Sequence, residues 1–299
     1  MLSICIPLYN YDATLLVAEL HRQALRLGVA FEIIVADDCS PDREVKLANR
    51  TMLTMSDVKL IELDHNLGRA ALRNYLAGLA AFNNLVFLDC DTFPVFDDFL
   101  SVYIANIACD VVVGGIAYRK ELPDRKFSLR WHYGHQRESN PAKVRMQKPY
   151  ASFMTGNFMI KKSVFDQLRF DESISRYGHE DTLFGIAMKA AGVSILHIDN
   201  PLFHDGLEPN LLFVEKTKAG IENIHTLLKK GIYQNELKGQ IKLVKWFLFV
   251  DGMGLSRMFG WVFSKLEKRL LKMLNNKKPN LKIFDLFKLG YLCKISKAV

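Results

Sequence analysis

The sequence predicts an α/β protein: a mostly parallel central sheet flanked by helices, with a C-terminal amphipathic helical extension. Three observations predict it. Short, apolar, β-branched runs recur through the first 120 residues, stretches of helical periodicity separate them, and basic residues gather after residue 240.

The elements follow in order. "SICIPLY" (3–9) reads as a buried first strand. "ATLLVAELHRQALRLG" repeats apolar residues at three and four and stops at Gly28, a helix with a glycine end signal. "FEIIVAD" (31–37) and "VKLIEL" (58–63) are the next strands, and a helix begins at Gly68 in "GRAALRNYLAGLAAF". "LVFLD" (85–89) and "DVVVGGIAY" (110–118) follow as strands. Alternation of this kind gives right-handed crossovers and parallel pairing. Ligands of such sheets sit beyond the carboxyl ends of the strands, where strand order reverses. Asp37, Asp38, Asp89 and Asp91 stand at ends of that kind. From 119 to 155 the pattern loosens into charges, aromatics and prolines, which predicts a long active-site loop. Order resumes at "GNFMIKKSVFDQL". A helix over "HEDTLFGIAMKAAG" stops at Gly192, a strand covers "SILHID", and a helix spans 210–231.

Composition bounds the function. With 299 residues, 49% hydrophobic and 11% aromatic, the chain can bury one large or two small cores, which excludes global disorder. The five cysteines are odd in number and lack metal-like spacing, so reduced thiols in the cytosol are expected. The apolar start lacks the basic region and cleavage site of a signal peptide and reads as a strand. No stretch reaches the roughly 18–20 uncharged apolar residues of a spanning helix. Net charge is +8, yet residues 241–299 hold 13 Lys/Arg against 3 Asp/Glu, which leaves about −2 for the rest. That asymmetry points to an anionic surface as partner.

Five places carry chemistry. In "LVFLDCDTFPV", Asp89 and Asp91 are two apart and share a face if extended geometry persists. A divalent cation or a ribose hydroxyl would relieve their repulsion, and hard oxygen ligands suit Mg²⁺ or Mn²⁺. The spacing also fits an ordinary acidic turn. Asp38 in "VADDCSPD" suits hydrogen bonds from a base or ribose, or a capped turn. Glu180 and Asp181 open a helix, where acids complement the dipole and where a general base would stay ionised. His204 follows a strand and is either structural or a ligand beside Asp91. Gly68, Arg69 and Arg73 at a helix start suit a pyrophosphate or a solvated basic face. Neither GxGxxG nor GxxxxGK(S/T) occurs, so a dinucleotide site and a P-loop are unsupported.

The order of "SICIPLYN", "EIIVADDCSPD", "NLGRAALRN", "FLDCDT", "TGNFMIKKSVF" with "FDES", and "GHEDTLFGIAMKAAG" closely resembles the family-2 inverting glycosyltransferases of the GT-A fold, over roughly residues 2–206. The resemblance implies roles. Pro7 and Tyr9 match the turn lining a uracil pocket, and Asp38 the aspartate bonded to the pyrimidine. Arg69 matches an arginine near base or diphosphate, Asp89 the ribose-side aspartate, and Asp91 the metal ligand. His204 matches a histidine completing the metal site, and Gly156 with Asn157 a loop near the transferred sugar. Glu180 and Asp181 match the Glu-Asp pair, with Asp181 as base. Relatives carry an aromatic or a second glycine just before that pair; here Tyr177 takes the aromatic's place and His179 a glycine's, and both are expected at the acceptor. The implied reaction is inverting hexosyl transfer from a UDP-sugar, dependent on Mn²⁺ or Mg²⁺, to a saccharide or lipid-linked saccharide in cell-surface polysaccharide synthesis. Competing readings are a sugar nucleotidyltransferase and a membrane-bound scaffold without activity.

The expected organisation is a catalytic domain at 1–232, with a Rossmann-like nucleotide-sugar half at 1–118 and an acceptor half at 119–232. A basic amphipathic region follows at 233–299. There Leu255, Met258, Phe259, Val262, Leu266, Leu270 and Met273 recur at three and four, with Arg257, Lys265, Lys268, Arg269 and Lys272 at other angles. That profile suits an interfacial helix on the cytoplasmic face of an anionic membrane, or a helix packed on a core. No nucleic-acid-binding motif accompanies the charge, so no nucleic-acid partner is expected.

Overall fold

A computed structural model describes residues 1–173 and 178–296. Among these, the chain divides into two compact units: one holds residues 1–119, 138–173 and 180–206, the other 120–137, 178–179 and 207–296. The expected boundary at 232 is not where the chain divides.

The first unit opens with β1 (Leu2–Leu8), α1 (Thr14–Leu27), β2 (Phe31–Asp37), α2 (Arg43–Arg50), β3 (Val58–Glu62), α3 (Arg69–Leu79) and β4 (Asn84–Leu88). Local signals mark the ends. Gly28 closes α1 in the left-handed region, φ 61°, with its N–H bonded to the Leu25 carbonyl. The Asp42 side chain caps α2 by accepting from the N–H groups of Glu44 and Val45. After β5 (Thr92–Pro94), α4 (Phe99–Ala105), β6 (Val111–Val113) and β7 (Ile116–Ala117), the chain leaves to form α5 (Ser128–Tyr133) in the second unit. It returns with α6 (Ala142–Arg145), β8 (Asn157–Lys161), α7 (Lys162–Leu168), α8 (Glu180–Ala190), β9 (Ile195–His197) and β10 (Leu202–His204).

Seven strands form the main sheet in the order β3-β2-β1-β4-β8-β6-β9, and β5-β10-β7 form a small second sheet. Pairing in the main sheet is parallel except where β8 runs against β4 and β6. The order reverses between β1 and β4, so the switch-point crevice opens at their carboxyl ends. Aromatic side chains fill one side of the sheet: Phe87 stacks on Phe158 and Phe165, and Phe184 on Phe170.

Two expectations are corrected here. The run 110–118 is not one strand, because Gly114 and Gly115 break it into β6 and β7, which join different sheets. Gly115 has φ 90°, a region side chains avoid, and a Cβ there would lie 2.7 Å from Arg145 Nη2. The stretch 119–155 is not a plain loop. It contains α5, α6 and a π-helical turn at Gly134–Glu138.

The second unit adds α9 (Asn210–Lys229), α10 (Gln234–Gln240), α11 (Lys242–Gly252), α12 (Ser256–Leu274) and α13 (Leu281–Ile295). Its core joins Leu129 of α5, Phe213 and Val214 of α9, Phe263 and Leu270 of α12, and Phe284 and Phe287 of α13. Among the described residues the basic region is therefore three helices before α13, with α11 and α12 parted at Gly254, φ 73°. The apolar stripe expected on α12 is also corrected. Gly260, Phe263, Leu270 and Leu274 are buried, while Met258, Val262, Leu266 and Met273 face solvent. Gly260 decides this: a Cβ there would meet the Cys293 carbonyl oxygen at 2.9 Å, so the bare backbone lets α13 pack close.

Candidate active site

β4 delivers Asp89 and Asp91 to the crevice. β10 runs antiparallel to β5 with His204 opposite Thr92, which brings His204 beside Asp91. Nε2 of His204 lies 3.7 Å from Asp91 Oδ2, beyond hydrogen-bond reach. Nδ1 of His204 is buried and has no hydrogen-bond partner. The Tyr118 ring stacks on the imidazole, centroids 5.7 Å apart. The chain after His204 folds around Asp91, whose carbonyl accepts the Asp205 N–H at 2.9 Å and the Gly206 N–H at 3.3 Å. A Cβ on Gly206 would collide with the Asp91 carboxylate, so only glycine leaves it in place. Arg119 holds Asp205 through two bonds of 2.7 Å.

A buried cation organises the neighbouring acids. Arg73 on α3 is 1% exposed, and its Nη2 donates to Asp89 Oδ1 at 2.6 Å. Its Nη1 lies 3.9 Å from Glu180 Oε1, as does Arg69 Nη1. Burial pushes the Asp89 carboxyl upward, but Arg73 and Arg69 outweigh it and hold Asp89 below the usual carboxylate range. Asp181 is the opposite case. Burial first, then the adjacent Glu180, raises it to about 6, although Thr182 donates its N–H at 2.6 Å. Two carboxyl groups driven apart in acidity in one unit form a pattern found at acid–base sites.

The other expected residues separate. Asp38 is buried, and its two oxygens accept the N–H groups of Leu67 at 2.6 Å and Gly68 at 3.0 Å. It thereby ties the end of β2 to the start of α3. Pro7 lies in β1, and Tyr9 just beyond it is 54% exposed. The Gly156 carbonyl accepts the Asp89 N–H at 3.2 Å, and a Cβ there would come within 3.0 Å of Asp89 Oδ2. Asn157 is not brought to the crevice. It is buried in β8, accepts from the Tyr103 hydroxyl at 2.6 Å and donates to the carbonyls of Gly115 and Asn200. Its amide is committed to the protein interior. His179 has φ 73°, a conformation glycine adopts at no steric cost. Tyr177 lies outside the described residues.

Sequence reading passes over Gly206 and Tyr11, and it gives Arg73 a pyrophosphate or a solvated basic face where the structure shows a buried pairing with Asp89. Gly206 was legible only as the turn after His204. Tyr11 has its hydroxyl pushed up to about 12 by burial and by Asp91 and Asp205. Among the described residues no three His, Cys, Asp or Glu side chains converge as a metal cluster. Asp91 and His204 nonetheless fit part of a divalent site: a carboxylate oxygen and an imidazole nitrogen, with the histidine otherwise unpartnered on one side.

A mostly parallel sheet with acids gathered at its switch point defines the GT-A class of fold. The model of "Glycosyl transferase family 2" matches residues 3–169, more than half of the chain. The chain belongs to that family. A chondroitin synthase of Escherichia coli is 25% identical over 258 residues, 75% of this chain and 37% of that one. The chain spans 24% and 37% of the length of the curated relatives it matches. In fold it resembles a mannosyltransferase of Pyrobaculum calidifontis solved with GDP-Man and Mn²⁺, at TM-score 0.53 and 14% identity over 76% of this chain and 64% of the other. GalNAc-T7, solved with UDP, GalNAc and Mn²⁺, gives TM-score 0.51 and 19% identity over 68% and 43%.

Proposed function

We propose that this glycosyltransferase inverts configuration, uses a UDP-sugar with Mn²⁺ or Mg²⁺, and extends a saccharide or lipid-linked saccharide of a cell-surface polysaccharide. The observation that carries the reading is Asp181: a carboxyl group raised to about 6 at the start of α8, next to Glu180, which two arginines approach. Such a group is ionised at neutral pH yet basic enough to take a proton from a sugar hydroxyl. That hydroxyl then attacks the anomeric carbon from the face opposite the diphosphate, and a single base suffices because no covalent intermediate forms. Asp91 and His204 would hold the divalent ion, which when bound supplies Lewis-acid neutralisation of the diphosphate. Asp89, oriented by Arg73, accepts from the ribose hydroxyls. Pro7 and Tyr9 border the base, and Asp38 offers it the lone pairs its backbone donors leave. Gly156 keeps room beside Asp89.

The chondroitin synthases support a polysaccharide acceptor, and GalNAc-T7 with UDP and Mn²⁺ supports the donor class. The basic C-terminal helices support a site of action on the cytoplasmic face of an anionic membrane. The test is a panel of UDP- and GDP-sugars with oligosaccharide acceptors, with and without Mn²⁺. Metal-dependent release of UDP with inversion in the product is expected. Transfer from GDP-sugars alone would overturn the donor, and retention of configuration would overturn the mechanism.

A further inference from the structure

α12 has two different sides. Its buried side packs in the core of the second unit, and its sole acid, Glu267, is held by Lys294 at 2.7 Å and Lys218 at 3.4 Å. The opposite side presents Met258, Trp261, Val262 and Leu266, each at least 40% exposed. Arg257, Lys265, Arg269 and Lys272 lie among them on the same turns and are also exposed. Lys265 sits over the Trp261 ring at 5.9 Å. α11 and its C-cap residue repeat the composition, with Trp246, Phe249 and the capping Met253 at least half exposed and Lys242 and Lys245 beside them. Two consecutive helices thus leave large apolar side chains in water, interleaved with cations, while their two acids are engaged elsewhere: Glu267 with the two lysines named above, and Asp251 as acceptor of the Ser256 hydroxyl.

We propose that these two outward sides, and not the apolar stripe legible in the sequence, are the surface that enters the headgroup region of an anionic bilayer; this rests on the membrane reading given above. Charge selects the occupant. A second copy would set cations against cations, which repel. Nucleic acid would use the cations and stack on the tryptophans, but methionine, valine and leucine offer bases no stacking face. Acyl chains accept all of these side chains, indole rings settle at the headgroup level, and each lysine or arginine adds attraction to anionic lipid.

Co-sedimentation of the full chain with vesicles tests this. Binding is expected to vesicles of phosphatidylcholine with phosphatidylglycerol and not to phosphatidylcholine alone. Trp246→Ser with Trp261→Ser should lower partitioning about tenfold or more. Lys265→Gln, Arg269→Gln and Lys272→Gln together should lower it about a hundredfold. All five side chains are exposed, so thermal melting should be unchanged. In a Trp131→Phe background the remaining indole emission should shift blue on anionic vesicles. Anionic binding that survives the tryptophan pair undiminished overturns this face and leaves the membrane reading standing. A wild-type chain that binds no vesicle overturns both. Binding of a single-stranded oligonucleotide in place of vesicles, or a dimer that the tryptophan pair dissolves, gives the face to another occupant and overturns the proposal.

Discussion

Asp181 and Arg73 show how single residues set the chemistry. If Asp181 is the base, Asp181→Asn should lower turnover about 10²–10⁴-fold while donor affinity, read by calorimetry with UDP, stays within about twofold. Because the carboxyl sits at about 6, kcat/KM of the parent should rise through that pH and level above it. The same shift acts on stability with a definite sign. The unfolded chain binds this proton only below about pH 4, the folded chain below about 6, so stability from protonated Asp181 is lost as pH rises through 6. Asp181→Asn should therefore melt higher than the parent at pH 7.5, and the gap should close toward pH 4. Arg73→Met leaves Asp89 and Glu180 without their buried counter-charge and should cost about 3–5 kcal/mol in urea unfolding, with Arg73→Lys recovering part. Asp89, Asp91 and the Glu180-Asp181 pair were legible because strand alternation and a helix start announce themselves locally. Arg73 was not, since its direction depends on how α3 lies on the sheet. The engagement of Asn157 was hidden for the same reason: only pairing of β8 between β4 and β6 shows that its amide is spent inside.

At the scale of elements, short turns do the placing. β5 and β10 pair so that His204 meets Asp91, and the next two residues wrap back onto the Asp91 carbonyl. Gly206→Ala would push the Asp91 carboxylate aside without touching the core. Mn²⁺ affinity, measured by electron paramagnetic resonance, should fall about 10–100-fold with melting little changed. Unaltered affinity would mean that this turn does not set the ligand. The Gly114-Gly115 break works similarly, by sending one apolar run into two sheets. A window that counts β-branched residues sees a single strand there, because the break lies in a positive φ and in space that neighbouring side chains fill.

Among the described residues of the whole molecule, one apolar cluster packs on a face of the sheet and another among the helices of the second unit. Phe284 touches Tyr133 and Phe213 in the latter and is 1% exposed. Phe284→Ala should cost about 3–5 kcal/mol, read by denaturant melts. Charge is divided in parallel with this architecture, since residues 241–299 carry the basic excess. α5, met in a stretch that reads as loop, contributes Leu129 to the helical cluster, so the units interleave along the chain and do not follow the expected boundary.

Composition, period and motif order, all local properties, were enough to settle the α/β class, the strand-borne acids and the family. Three-dimensional packing settled which cation pairs Asp89, which turn backs Asp91, and which side of α12 is buried. The reason is physical. Hydrophobic period ranks side chains by size and polarity, and so assigns methionine and leucine inward. A helix instead buries the side that approaches its neighbour most closely, and here a glycine allows that approach, turning Met258, Trp261 and Leu266 outward.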